Sequence, residues 1–241
     1  MFVNYFESLE KFLLKSAKSA GAGRVKKGKT AKDGKAPSKH LVDLIAVING
    51  IIPSQLKAAP LRVMDKSGYS PEGADFIAYR ETFRDLPVAL GGCVPSALVH
   101  GIYYVCDALT RESLADVLGR AVQGKKVNRY AVEEEEQSAV IPSFIICYET
   151  KMSLMDIKEA AVEFYVSRGI ENALEFDILI VLKKGIIIKN WREKRSFKAL
   201  ETGSSTLMWF FILTSEYLEV ERGGDLDLRD YVKETETYKE Y

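Results

Sequence analysis

Histidine and cysteine are scarce in this sequence. Two histidines, His40 and His100, occur in 241 residues, so a histidine-built metal centre would need nearly all of them. Cys93, Cys106 and Cys147 are odd in number, widely spaced and form no CxxC pair. This argues against a disulfide framework or a structural zinc site and fits a reducing compartment. Long apolar runs are missing too. Leu207 to Leu213 and Ile178 to Ile188 fall short of the roughly 20 residues that cross a bilayer, and Lys183-Lys184 interrupts the second. Residues 1–14 carry no basic start, no apolar stretch of signal length and no Ala-x-Ala site. No secretion signal is read, no membrane partner is expected, and the expected location is cytoplasmic. Net charge is absent: 34 Lys+Arg balance 34 Asp+Glu. That excludes a uniformly basic nucleic-acid coat, though not a local patch. The motifs GxGxxG, HExxH and GxSxG are also absent.

What is present is enough for a sizeable core, with 47% apolar residues in 27.0 kDa. The zero net charge hides a strong asymmetry. Residues 15–40 hold nine basic residues and one acid, Asp33, among Gly, Ala and Ser. Such a stretch cannot bury enough to offset its ordering entropy, and reads either as a solvated linker or as a phosphate-binding arm through Lys26, Lys27 and Lys29. Residues 216–241 hold nine acids and four bases. The expected organisation is an amphipathic helix over 1–14, a basic flexible segment over 15–40, one α/β domain over 41–220 and an acidic tail over 221–241.

Within that domain, Leu41, Leu44, Ile45, Ile48 and Ile51 recur at helical spacing, and Gly50 and Pro53 end the helix. Strands are expected at 61–64, 74–79, 99–106 and 140–148, and a strand–turn–strand hairpin over 176–188. Thr110 and Ser153 are positioned to cap helices, and 206–218 forms the last one. The stretch between Tyr79 and Val99 reads as a surface excursion. The result is a mixed central sheet flanked by helices, an α/β sandwich.

Cys106 as a nucleophile would need a base. His100 shares its strand face but lies about 20 Å away at roughly 3.3 Å per residue, too far for a dyad. A more informative order is Asp75 opening an apolar strand, followed further on by Ile102-Tyr-Tyr-Val-Cys-Asp107 and a helix beginning at Thr110. This order, with Phe176 to Gly185 and Ser205-Thr-Leu207, resembles the PD-(D/E)XK nuclease-like superfamily. Within it, the chain looks like a bacterial and archaeal branch known as a domain of unknown function, over residues 41–220.

The resemblance implies a restriction-endonuclease-like sandwich in which an Asp and a Glu-x-Lys converge on Mg²⁺. Asp75 stands at the first position and is the one candidate metal ligand. Tyr104-Val105-Cys106 stands where Glu-x-Lys belongs, and Ala97 where an upstream acid is frequent. The resemblance thus implies a degenerate site: a catalytically inactive nuclease-fold protein, with no cofactor, that binds nucleic acid or a protein partner. The alternative is an active Mg²⁺-dependent nuclease with a relocated acid, from Asp107, Glu72, Asp43 or Glu149. Asp107 would face away from Asp75 unless a bulge intervenes. Asp75 also reads as a strand-end residue accepting backbone hydrogen bonds, and Tyr104 as a filler whose hydroxyl bonds to Asp75. Trp191 with Arg192, Lys194, Arg195 and Lys198 forms a second candidate phosphate contact, or a solvated loop. A third class is a structural protein that dimerises through Phe2 and Phe6.

Overall fold

The computed structural model describes residues 2–21, 37–82, 84–128, 140–193, 195–218 and 239–240. Lys26, Lys27, Lys29, Lys194, the Glu133–Glu136 run and most of the acidic tail lie outside them. The elements run α1 (Phe2–Gly21), α2 (Lys39–Ile51), β1 (Leu56–Ala59), β2 (Arg62–Met64), β3 (Phe76–Arg80), α3 (Leu86–Ala89), β4 (Cys93–Pro95) and β5 (Val99–Leu109). They continue α4 (Arg111–Lys125), β6 (Ser143–Thr150), α5 (Leu154–Ser167), β7 (Ile178–Val181), β8 (Gly185–Lys189), β9 (Phe197–Glu201), α6 (Thr206–Tyr217) and β10 (Lys239–Glu240).

Eight strands form one mixed sheet in the order β1-β3-β5-β6-β7-β8-β9-β10. The centre, β5-β6-β7, is parallel because α4 and α5 provide the crossovers. The flanking pairs are antiparallel. Alternation sorts the strands onto two cores. Ile77, Ile102, Tyr104, Ile145, Leu179 and Ile187 face α4 and α5. Phe76, Tyr103, Phe144, Ile146, Ile178 and Ile180 face α1, α2 and α6. Both crossover helices start on capping boxes: Thr110 with Ser113, and Ser153 with Asp156.

Three sequence expectations change. The first helix continues past residue 14 to Gly21, taking Lys15 and Lys18 out of the basic segment and onto a helix. The stretch between Tyr79 and Val99 is no mere excursion, since β4 pairs in parallel with β2 and its Val94 is buried. Three-residue strands are too short to carry a visible alternation. Phe2 and Phe6 pack on Phe211 of α6, with Phe6 and Phe211 stacked at 5.2 Å. The face expected to make a dimer contact therefore covers this chain's own sheet.

Candidate functional site

Asp75 lies immediately before β3, and its N–H donates to the Tyr103 carbonyl on β5 at 2.9 Å. The register brings it opposite Tyr104, on the face that also carries Cys106. Asp75 Oδ2 accepts the Val105 N–H at 2.7 Å, which is the strand-end bond its position suggests. The same oxygen faces Arg120 of α4, whose Nη1 is 3.3 Å away. Arg120 Nη1 also donates to the Gly73 carbonyl at 2.8 Å, and its Nε donates to Asp116 at 3.2 Å. Gly73 has φ +101, and a Cβ there would overlap the Arg120 side chain. Glycine is therefore required both by the turn and by the arginine. Burial pushes the Asp75 carboxyl above its ordinary value, while the Val105 N–H and Arg120 favour its charged form.

Tyr104 shares the face with Asp75, but its hydroxyl does not take Asp75 as its partner. The side chain runs toward the end of α4, and its ring centre lies 5.8 Å from the Arg120 guanidinium. Its hydroxyl occupies the space where a Cβ at position 124 would sit, and Gly124 leaves that space open. Gly→Ala inside a helix ordinarily stabilises by about 1 kcal/mol. Here we expect Gly124→Ala to destabilise by about 1–3 kcal/mol through overpacking. Tyr104→Phe in the same chain should restore part of the loss, as a double-mutant cycle in urea would show.

Cys106 pairs in register with Cys147 on β6. Its thiol points toward the Ala108 carbonyl and Ser113 Oγ, at 3.4 and 3.7 Å. The Cys147 contact lowers the Cys106 thiol from its ordinary value and raises that of Cys147. Neither position offers a carboxylate or an ammonium group.

The proposed replacement acids lie elsewhere. Asp107 is 69% exposed and pairs with His40 of α2 at 3.0 Å, on the opposite face of the sheet. No bulge interrupts β5 against β6 there to turn it back. Asp43 accepts the Ser16 hydroxyl between α2 and α1. Glu72 is exposed on the loop before Asp75. Glu149 is on the Asp75 face but pairs with Ala108, so it sits roughly 13 Å further along and two strand spacings of about 4.8 Å across. Mg²⁺ prefers near-octahedral oxygen ligation through one or two carboxylates. The residues around Asp75 are a guanidinium, a phenol and a thiol, so they do not fit the ion. Among the described residues no three His, Cys, Asp or Glu side chains converge as a metal site.

The second candidate cluster divides. The Trp191 ring is 54% exposed and covers the Lys189 ammonium at 4.0 Å, while its Nε1 donates to the Tyr217 hydroxyl at 3.2 Å. Arg195 donates its N–H to Asn172 Oδ1 at 3.0 Å and its guanidinium to the Ile170 carbonyl at 3.2 Å, so it holds the loop. Arg192 is exposed, and Lys198 lies on β9. Beneath Trp191 lies a buried quartet of charges. Lys125 meets Asp177 at 2.5 Å and Lys189 meets Glu175 at 3.7 Å, all four side chains at most 1% exposed.

Two features escaped the sequence reading. Arg120, partner of Asp75, is marked only by its i,i+4 spacing from Asp116. Gly23-Arg-Val-Lys-Lys-Gly-Lys-Thr30 matches GxxxxGK[ST]. That pattern signals a phosphate loop only between a strand and a helix. Here it follows the helix α1 and lies outside the described residues. No helix among the described residues is long and apolar enough to cross a membrane.

Three solved structures share this architecture. NucC of P. aeruginosa ATCC27853 in its cAAA-bound form matches with a TM-score of 0.68 and 11% identity, covering 97% of this chain and 97% of that one. NucC of E. coli MS115-1 matches in its apo form with a TM-score of 0.63 and 14% identity, over 94% and 95% of the two chains. Its cAAA-bound form gives 0.65 and 14%, over 90% of each. No family model and no curated protein sequence matches. The likeness is one of fold: this chain has the restriction-endonuclease-like sandwich that NucC has.

Proposed function

We propose that this chain is a nuclease-fold protein that binds nucleic acid without hydrolysing it. The observation that carries the reading is the engagement of Asp75, whose inner oxygen is held by the Val105 N–H and by Arg120. Metal-assisted phosphodiester hydrolysis asks for carboxylates that share a cation and for a lysine beside the attacking water. Here the cation facing Asp75 is a guanidinium, fixed by Gly73 and Asp116, and the Glu-x-Lys positions hold Tyr104 and Cys106. An active nuclease with relocated acids is the less supported reading, because Asp107 pairs with His40, Asp43 accepts from Ser16, Glu149 lies further along β6 and Glu72 is exposed on the loop. The excess of basic residues over 15–40 supplies the electrostatic reason to bind nucleic acid.

Fluorescence anisotropy with end-labelled DNA and RNA in Mg²⁺ tests this. The expected result is saturable binding that weakens steeply with salt, with every probe recovered at full length. Absence of binding at low salt, or shortened probes, would refute it.

A further inference from the structure

An open groove of about 690 Å³ lies between α1, the C-terminal ends of β6 and β7, and the turn that joins β7 to β8. Five lysines line it: Lys11, Lys15 and Lys18 from α1, and Lys183 and Lys184 from the turn, with one carboxylate, Glu149, in the lining; Lys11 also pairs with Glu7 at 3.8 Å, and the Lys184 ammonium donates to the Met152 carbonyl. On α1 the spacing is i, i+4, i+7, so the three ammonium groups form one stripe. Like charges at these spacings destabilise a helix. An anion between them would reverse that sign.

The turn is braced against α1 in an unusual backbone conformation. Lys183 has φ 58, one of two non-glycine residues with positive φ among those described. This left-handed conformation is strained for an ordinary residue and nearly free of strain for glycine. The lysine is held there by its own N–H, which donates to Glu10 Oε1 at 2.6 Å. Glu10 comes from α1, is fully buried, and leaves its other oxygen without a hydrogen-bond partner. A strained backbone and a buried carboxylate are thus both maintained to fix the turn against α1, with Lys183 itself exposed beside Lys15 and Lys18.

We propose that this groove is where the phosphodiester backbone of the bound nucleic acid lies. The inference rests on the non-cleaving nucleic-acid reading above and adds the site. The groove is set apart from Asp75, at the far end of β6 and β7, so the strand would track along α1.

The test is Lys15→Gln/Lys18→Gln/Lys183→Gln in the full chain, beside a control that removes three exposed or half-exposed lysines elsewhere, Lys66→Gln/Lys126→Gln/Lys158→Gln. Anisotropy with end-labelled DNA and RNA is recorded over a salt series, and circular dichroism confirms the fold of each variant. The groove variant should bind at least tenfold more weakly. Its log–log salt slope should be shallower by about 2, as each lost phosphate contact removes roughly 0.7–0.9. The control should keep the wild-type slope. Equal losses in both variants, or an unchanged slope in the groove variant, would overturn the groove while leaving the nucleic-acid reading intact. A wild-type chain that binds no nucleic acid would overturn both.

Discussion

Asp177→Ala should destabilise this protein by about 3–5 kcal/mol, a large share of the roughly 5–15 kcal/mol that keeps a domain folded. Asp177 sits just before β7, an interior strand of the sheet, and its Oδ2 accepts the Ser143 N–H at 2.7 Å and meets Lys125 at 2.5 Å. Removing it leaves a buried ammonium without its counter-charge and a buried N–H without an acceptor. The second pair is close by and no better solvated. Burial pushes the Glu175 carboxyl up and the Lys189 ammonium down, each toward its neutral form. Lys125→Met/Asp177→Leu should recover most of the loss, because replacing both members of a buried pair by apolar residues is often neutral. Urea unfolding reads both variants. A loss below about 1 kcal/mol for Asp177→Ala, within the range of surface pairs, would show that the quartet is hydrated.

Glu10→Gln should change how stability depends on pH. Burial raises the Glu10 carboxyl from 4.5 to about 7, against the opposing pull of the Lys183 N–H. A raised folded pKa means that the folded chain holds its proton more tightly than the unfolded one. The associated stability is complete below pH 4.5 and is lost as pH rises through 7. A shift of this size corresponds to about 3 kcal/mol. The amide cannot ionise yet can still accept the Lys183 N–H. The difference in stability between variant and wild type should therefore move by about 3 kcal/mol in favour of Gln between pH 4 and pH 8. A difference that stays flat over that window would mean that Glu10 is solvated and does not brace the turn as described.

Much of the fold is legible because its strands and helices are long or capped. Val99 to Leu109 carries β-branched and aromatic residues throughout, and Thr110 and Ser153 announce α4 and α5 with hydroxyls three residues ahead of their partners. The edges are not legible. Leu56–Ala59 and Phe197–Glu201 gain their strand character from their neighbours' hydrogen bonds, and β4 from three residues paired to β2. At the site, the position of Asp75 beside Tyr104 and Cys106 could be read from the order of motifs. Its partner could not. Arg120 meets Asp75 only because α4 packs back over β3 and β5, a contact of tertiary origin. The hydroxyl of Tyr104 points into the space left by the missing side chain of Gly124, a contact that no motif in the sequence marks. The lysine groove joins the beginning of the chain to the β7–β8 turn, and only the folded sheet brings α1 against Lys183.

The proposed function requires Asp75 to act as an ion-pair partner of Arg120 instead of a metal ligand. The direct measurement is incubation of the wild-type chain and Asp75→Ala with single- and double-stranded DNA and RNA, in Mg²⁺ and in Mn²⁺, followed by sizing of the products. Intact nucleic acid is expected from both proteins under every condition. Cleavage by the wild-type chain that disappears in Asp75→Ala would contradict the proposed function, and would show a working metal site built around that carboxylate.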